Sequence, residues 1–259
     1  MSPNPPEVRL ARIAPEAAGM PLYRAAKRAL LQAIEEGRLA PGQTLPNETA
    51  LAAMLGVSIG TLRHAVDELV AEHILVRRQG RGTFVATHSA DRFLFQFFHV
   101  ERADGLREVP VVELLSFERT RLDEDAAAAL QRRPGEAALR VDNRLQLQGR
   151  AVVHDAIVLP AELFRGLTEK RFRERPGTIY QLYQAEFGIT VVRALERARA
   201  VAADRTAARV LGVALGAPML RIARTALTFG DKPVEWRVST VLTEQHDYVQ
   251  TLSRRSERG

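Results

Sequence analysis

The order of local signals between Pro21 and Thr87 constrains this chain more than any other feature. Pro21 suits a first helical turn, and Tyr23, Ala26, Leu30, Ala33 and Ile34 recur at three- and four-residue intervals up to Gly37. After the Ala40-Pro41-Gly42 turn, Asn47 can cap a second helix carrying Ala50, Leu51, Met54 and Leu55, stopped by Gly56. Ser58 can cap a third, with Leu62, Ala65, Val66, Leu69 and Val70 on one face. Two β-rich segments follow, Ile74–Arg78 and Thr83–Thr87, joined by Gln79-Gly80-Arg81-Gly82 as a hairpin tip. A helix of two turns is not stable alone, so the second must pack on its neighbours.

Three short helices and a β-hairpin predict a winged helix-turn-helix. Gly56 supplies the left-handed residue that reverses the chain, and the third helix leaves Ile59, Gly60, Arg63, His64 and Asp67 outward. Its N-terminus, with Ser58 and Thr61, offers N–H groups and hydroxyls to phosphate. Arg63 can pair bidentately with guanine, whereas Ile59 can only touch a thymine methyl. Between Gly80 and Gly82, Arg81 can enter a narrow minor groove while Arg77 and Arg78 track phosphates. One exposed arginine usually means only a solvated charge; the joint order of elements is what points to DNA.

Composition narrows the rest. The 259 residues fit two domains of the usual ~100–200 residues. The absence of cysteine excludes a disulfide framework, a thiolate zinc site and a cysteine nucleophile. Thirty-seven Lys and Arg against 31 Asp and Glu leave +6, which permits nucleic-acid binding without arguing for it. No apolar run approaches the ~18 residues of a membrane helix, and residues 1–20 lack a signal-peptide core, so a cytoplasmic protein without membrane contact is expected.

The stretch Leu45-Pro46-Asn47-Glu48, Leu51-Ala52, Leu55-Gly56-Val57-Ser58, Thr61-Leu62-Arg63, Val66-Asp67-Glu68-Leu69 and Leu75 to Val85 resembles the GntR family of bacterial transcription regulators. Arg63 and the wing glycines match its pattern. Thr49 and Ile59 stand where the family usually carries arginines, which implies weaker phosphate anchoring or a different half-site.

Beyond residue 94 the remaining roughly 165 residues can bury their own core. Leu139, Val141, Leu145 and Leu147 alternate with Arg140, Asp142, Arg144 and Gln146 as a strand does, and Ala151–Leu159 is an apolar run. Ile179, Leu182, Tyr183 and Phe187 make a helical face, and Asp204 can cap a short helix ending at Gly212. An α+β domain around an antiparallel sheet is predicted. Its adjacent pairs His154-Asp155 and His246-Asp247 point to opposite faces of a strand and cannot cooperate, and no metal or phosphate-loop pattern emerges.

This half is similar to the UTRA effector domain of the HutC branch, through Arg144 to Gly149, Asp155, Leu159-Pro160, Ile179 to Leu182, Phe187-Gly188-Ile189, Glu196, Leu211-Gly212, Gly216 to Leu220 and Pro233-Val234-Glu235. The resemblance implies a chorismate-lyase-like fold with a pocket on its sheet. It places Arg144, Asp155 and Glu235 at pocket positions, Arg193 as a further candidate, and His99 near a covering loop that includes Phe95 to Phe98. Arg144 would hold an anion bidentately. Gln146, where a second basic residue is common, favours a small carboxylate over a sugar phosphate.

The expected organisation is a flexible tail over 1–20, a DNA-binding head over 21–88, a linker over 89–94 and an effector and dimerisation domain over 95–252. The expected function is a ligand-responsive regulator, a repressor acting as a homodimer on a palindromic double-stranded DNA operator and released by a small anionic effector, without cofactor or metal. Two alternatives stay open: a chorismate-lyase-like enzyme with an appended helix-turn-helix, and an architectural DNA-binding protein.

Overall fold

The computed structural model describes residues 10–13, 21–72, 74–87 and 97–250. The expected linker over 89–94, Phe95 and Gln96 of the covering loop, the end of the second domain at 251–252, and all of the expected tail except 10–13 lie outside the described residues. The chain divides into two compact units, Met1–Thr87 and His88–Gly259.

In the first unit α1 spans Leu22–Glu35, α2 Glu48–Leu55 and α3 Ile59–Ala71, followed by the antiparallel strands β1 (Leu75–Arg78) and β2 (Gly82–Val85). Each helix turns its apolar stripe inward: Ala26, Leu30 and Ala33 from α1, Leu51 and Leu55 from α2, Leu62, Ala65 and Leu69 from α3 are all buried. The caps are those the sequence predicts. Asn47 accepts from the Ala50 N–H at 2.8 Å, and Ser58 from the Thr61 N–H at 3.1 Å. Ile13, within the segment expected to be a free tail, donates its N–H to the Leu55 carbonyl at 3.0 Å, next to the turn.

Gly56 sits at φ +71°, and a Cβ there would lie 2.7 Å from Arg12 Nε. We expect Gly56→Ala to cost about 1–2 kcal/mol, because the left-handed backbone strains any L-residue whatever Arg12 does. Thermal unfolding checks this; an unchanged midpoint, or full rescue by Arg12→Ala, would show that backbone strain is not the cause.

In the second unit, six strands form one antiparallel sheet in the order β4-β5-β6-β9-β8-β7. They are β4 (Val111–Arg121), β5 (Ala137–Leu147), β6 (Arg150–Pro160), β7 (Arg193–Ala202), β8 (Pro218–Leu227) and β9 (Pro233–Val241). A separate pair joins β3 (Val100–Arg102) to β10 (His246–Tyr248). One face of the sheet carries Val141, Leu145, Val153, Ile157 and Val241 and packs under α5 (Glu169–Arg173), α6 (Ile179–Phe187) and the chain at Phe97. Its five largest fully buried side chains are aromatic: Tyr180, Tyr183, Phe97, Phe164 and Phe172. At ~150–250 Å² each, burial of such rings contributes about 4–6 kcal/mol apiece before entropy is subtracted. The opposite face is only partly roofed. Helix α4 (Glu124–Leu130) covers Ala138, Val158 and Trp236 there, and α7 (Arg205–Leu211) covers Met219 and Leu242. Because both faces of the central strand β6 are occupied, it reads in sequence as an apolar run, Ala151–Leu159, interrupted only by His154 and Asp155.

Candidate DNA-binding head and effector pocket

The head presents α3 and the β1–β2 tip. Ile59 is 39% exposed and apolar, and Gly60 has no side chain, so the first turn of α3 offers few donors. The Ser58 and Thr61 hydroxyls bond each other at 2.8 Å beside the α3 N–H groups. Arg63 stands exposed one turn on, with its Nε donating to Glu48 Oε2 at 2.6 Å. His64 lies flat on Tyr23 of α1, centroids 4.0 Å apart, which engages it in joining two helices. Thr49 is exposed in the first turn of α2. At the hairpin, Gly80 and Gly82 have φ of +68° and +101° and place Arg81 at an exposed tip. Arg77 pairs with Asp67 of α3 at 2.5 Å, and Arg78 stacks over Phe84 at 5.0 Å. The partners Glu48, Asp67 and Tyr23 are contacts that periodicity alone does not reveal, since each belongs to another element.

In the second unit, strand register decides which of the expected pocket residues meet. Asn143 pairs with Asp155, Asp155 with Ser239, and Arg237 with Ile157, so these side chains share the aromatic face. Arg237 is the hub. Its Nη1 donates to Asp155 at 3.0 Å, and its Nε and Nη2 donate to the two Glu235 oxygens at 3.0 and 3.1 Å. Glu235 also accepts from the Tyr180 and Tyr183 hydroxyls, at 3.1 and 2.7 Å, and Asp155 from Ser239. Burial disfavours a charged guanidinium, but Glu235 and Asp155 hold the Arg237 pKa well above its usual value. Burial and the Glu235 charge push both tyrosines up, so they stay protonated donors.

Beside this network lies a cavity of about 410 Å³, floored by Asn143, Asp155 and Arg237 and walled by Val112 and by Arg173, Arg175 and Thr178 at the entry to α6. Three observations define its chemistry. Arg173 is balanced by Glu169 at 2.7 Å, and Arg237 by two carboxylates. Arg175 has no carboxylate partner among the described residues, and burial followed by the nearby Arg237 lowers its pKa. Two residues that line the cavity each keep one buried atom, Arg175 Nε and Asn143 Oδ1, without a hydrogen-bond partner among the described residues.

Of the expected effector residues, the structure thus brings Asp155 to the cavity and Glu235 directly behind it. Arg144 lies on the opposite face of the sheet, its guanidinium paired with Glu113 at 2.6 Å. Arg193 is bound to Asp231 at 2.7 Å on that same opposite face, at the edge strand. His99 packs edge-on against Tyr248, with burial lowering its pKa, and does not line the cavity. Arg175, Asn143 and Arg237 line the cavity and were not among the expected residues. The two-residue spacing of Glu235 and Arg237 signals a shared face, while the approach of Arg175 depends on how the segment before α6 folds over the sheet.

The aromatic network continues to Phe97, the first described residue of this unit. Its ring meets Tyr180 edge-on at 4.9 Å, and its carbonyl accepts from the buried Arg224, itself paired with Glu196.

Comparison with known proteins agrees with both units. Residues 22–85 match the bacterial regulatory proteins of the gntR family, and residues 106–247 match the UTRA domain. The chain is 27% identical over 240 residues to the HTH-type transcriptional repressor NagR of Bacillus subtilis, covering 92% of this chain and 97% of that one. It is 30% identical over 186 residues to the histidine utilization repressor of Klebsiella aerogenes, covering 70% and 77%. The ligand-binding domain of a protein described as a GntR-family transcriptional regulator from Bordetella bronchiseptica superposes with a TM-score of 0.58 at 33% identity, over 61% of this chain and 99% of that one. These relatives are named as regulators and not as enzymes. Among the described residues no single helix is long and apolar enough to cross a membrane. The chain belongs to the GntR family of bacterial transcription regulators and carries the UTRA effector domain.

Proposed function

We propose that this protein is a cytoplasmic repressor that binds a palindromic operator as a homodimer and is released by a small anionic metabolite. The observation that carries the anion is Arg175, a largely buried cation without a carboxylate partner among the described residues, whose Nε is unsatisfied beside the cavity. Asn143 Oδ1 asks in addition for a hydroxyl or amino donor on the ligand. A carboxylate or phosphate at Arg175 and such a donor at Asn143 fit a volume of about 410 Å³. Asp155 and Arg237 frame the floor, and Glu235 with the two tyrosines fixes Arg237. Arg144, Arg193 and His99 lie elsewhere and take no part in this reading.

On DNA, Arg63 reads a base from the major groove, Arg81 enters the minor groove, and Ser58, Thr61, Arg77 and Arg78 contact phosphates. An effector weakens operator binding only through its higher affinity for the DNA-incompetent arrangement. The contact of Tyr180 with Phe97 is a packed path from the pocket toward the start of the domain.

Selection of genomic fragments by the purified protein at near-physiological salt tests the regulator reading, because non-specific binding is suppressed there. Enrichment of an inverted repeat is expected. Recovery of fragments without a shared sequence would contradict it.

A further inference from the structure

Glu48 is an acid in a first helical turn, which suits the helix N-terminus, but its contact goes further. It opens α2, whose N-terminus already has a capping side chain in Asn47. It also contacts the arginine assigned to base reading, so its negative charge sits near the path of a polyanion that carries one charge per ~1.7 Å. Its contact is specific. Oε2 accepts from Arg63 Nε at 2.6 Å, which orients the guanidinium plane and leaves Nη1 and Nη2 for an end-on bidentate contact. The neighbours raise the stakes of that orientation, because Ile59 and Gly60 in the preceding turn offer no side-chain donor to a base edge.

We propose that Glu48 is a specificity-determining positioning residue: it holds Arg63 so that the two Nη groups address one guanine, and it penalises DNA on which Arg63 cannot make that contact. The inference rests on Arg63 reading a base. With a correct base the arginine is shared between carboxylate and guanine; with a wrong one the carboxylate stays near the phosphates with nothing gained.

The test is selection from a randomised duplex pool by the full chain and by Glu48→Gln, Glu48→Asp, Arg63→Ala and the double variant Glu48→Gln/Arg63→Ala. Wild type should show a strong guanine preference at one position of each half-site, and Arg63→Ala should level it. Glu48→Gln should weaken that preference about tenfold, at the size of one good bidentate contact, while affinity for non-specific DNA stays equal or rises. Glu48→Asp keeps an acid at the start of α2 but is one carbon too short to reach Nε. It should show the same loss with an unchanged melting temperature, which separates positioning from helix stability. The double variant should match Arg63→Ala alone, because a positioning residue has nothing left to position. Full discrimination in both Glu48 variants, with discrimination lost in Arg63→Ala, would overturn the role of Glu48 and leave that of Arg63 standing. A wild-type pattern from Arg63→Ala would overturn both.

Discussion

Arg237→Met destabilises the effector domain by about 3–5 kcal/mol, because it leaves Asp155 and Glu235 as buried carboxylates without their cation. For a unit of this size the melting temperature falls by roughly 6–20 °C. Methionine keeps much of the volume, so the loss is electrostatic and not a cavity effect. The pH dependence has a definite sign. Without Arg237 the two buried carboxylates lose their counter-charge while burial still disfavours the charged form, so the deficit grows as pH rises. Lowering the pH from neutrality therefore narrows the gap to wild type. The triple variant Asp155→Asn/Glu235→Gln/Arg237→Met recovers most of the stability, since replacing a whole buried ionic network is far less damaging than breaking it. A single variant as stable as wild type, or a deficit independent of pH, would show that the network does not carry this charge balance.

Arg175→Gln acts on function more than on stability. The domain keeps its fold apart from the Arg175 contacts with the Phe172 carbonyl and ring. Operator affinity without effector stays at the wild-type level, while the effector dissociation constant rises by about ten- to a hundredfold, the usual scale for losing a charged hydrogen-bond partner. Arg144→Gln, changed on the other face of the sheet, leaves the response intact. Isothermal titration of the three proteins with one effector decides between the two arginines. The opposite order of effects would return the pocket to the face of Arg144.

Much of this architecture was legible because each element signals locally. Asn47, Ser58, Asp204, Gly56 and Gly212 announce helix ends through capping and left-handed backbone, and all five do so in the structure. The alternation of β5 was also readable. It carried a consequence for Arg144: if Leu145 faces the core, its neighbour faces away. The resemblance implies a pocket position for Arg144, and the alternation in the same segment puts it on the face opposite the Arg237 cavity. The separation of His154 from Asp155 follows the same rule, with His154 turned to Asp142 at 3.2 Å and Asp155 to Arg237. What could not be read was register across non-neighbouring strands. That β6 pairs with β9, 80 or so residues later, is a long-range choice that no local pattern encodes, and it is what joins Asp155 to Arg237. Likewise, Glu48 reads as a helix-starting acid until α3 brings Arg63 against it.

Titration of the protein–operator complex with a panel of small metabolites, at fixed salt, tests the central claim most directly. The panel spans hydroxylated and amino carboxylates, sugar phosphates, and neutral sugars of the same size. The account predicts that at least one anionic member weakens operator binding tenfold or more in wild type and fails to do so in Arg175→Gln. Release by neutral compounds alone, or anion-driven release that survives Arg175→Gln unchanged, would contradict it.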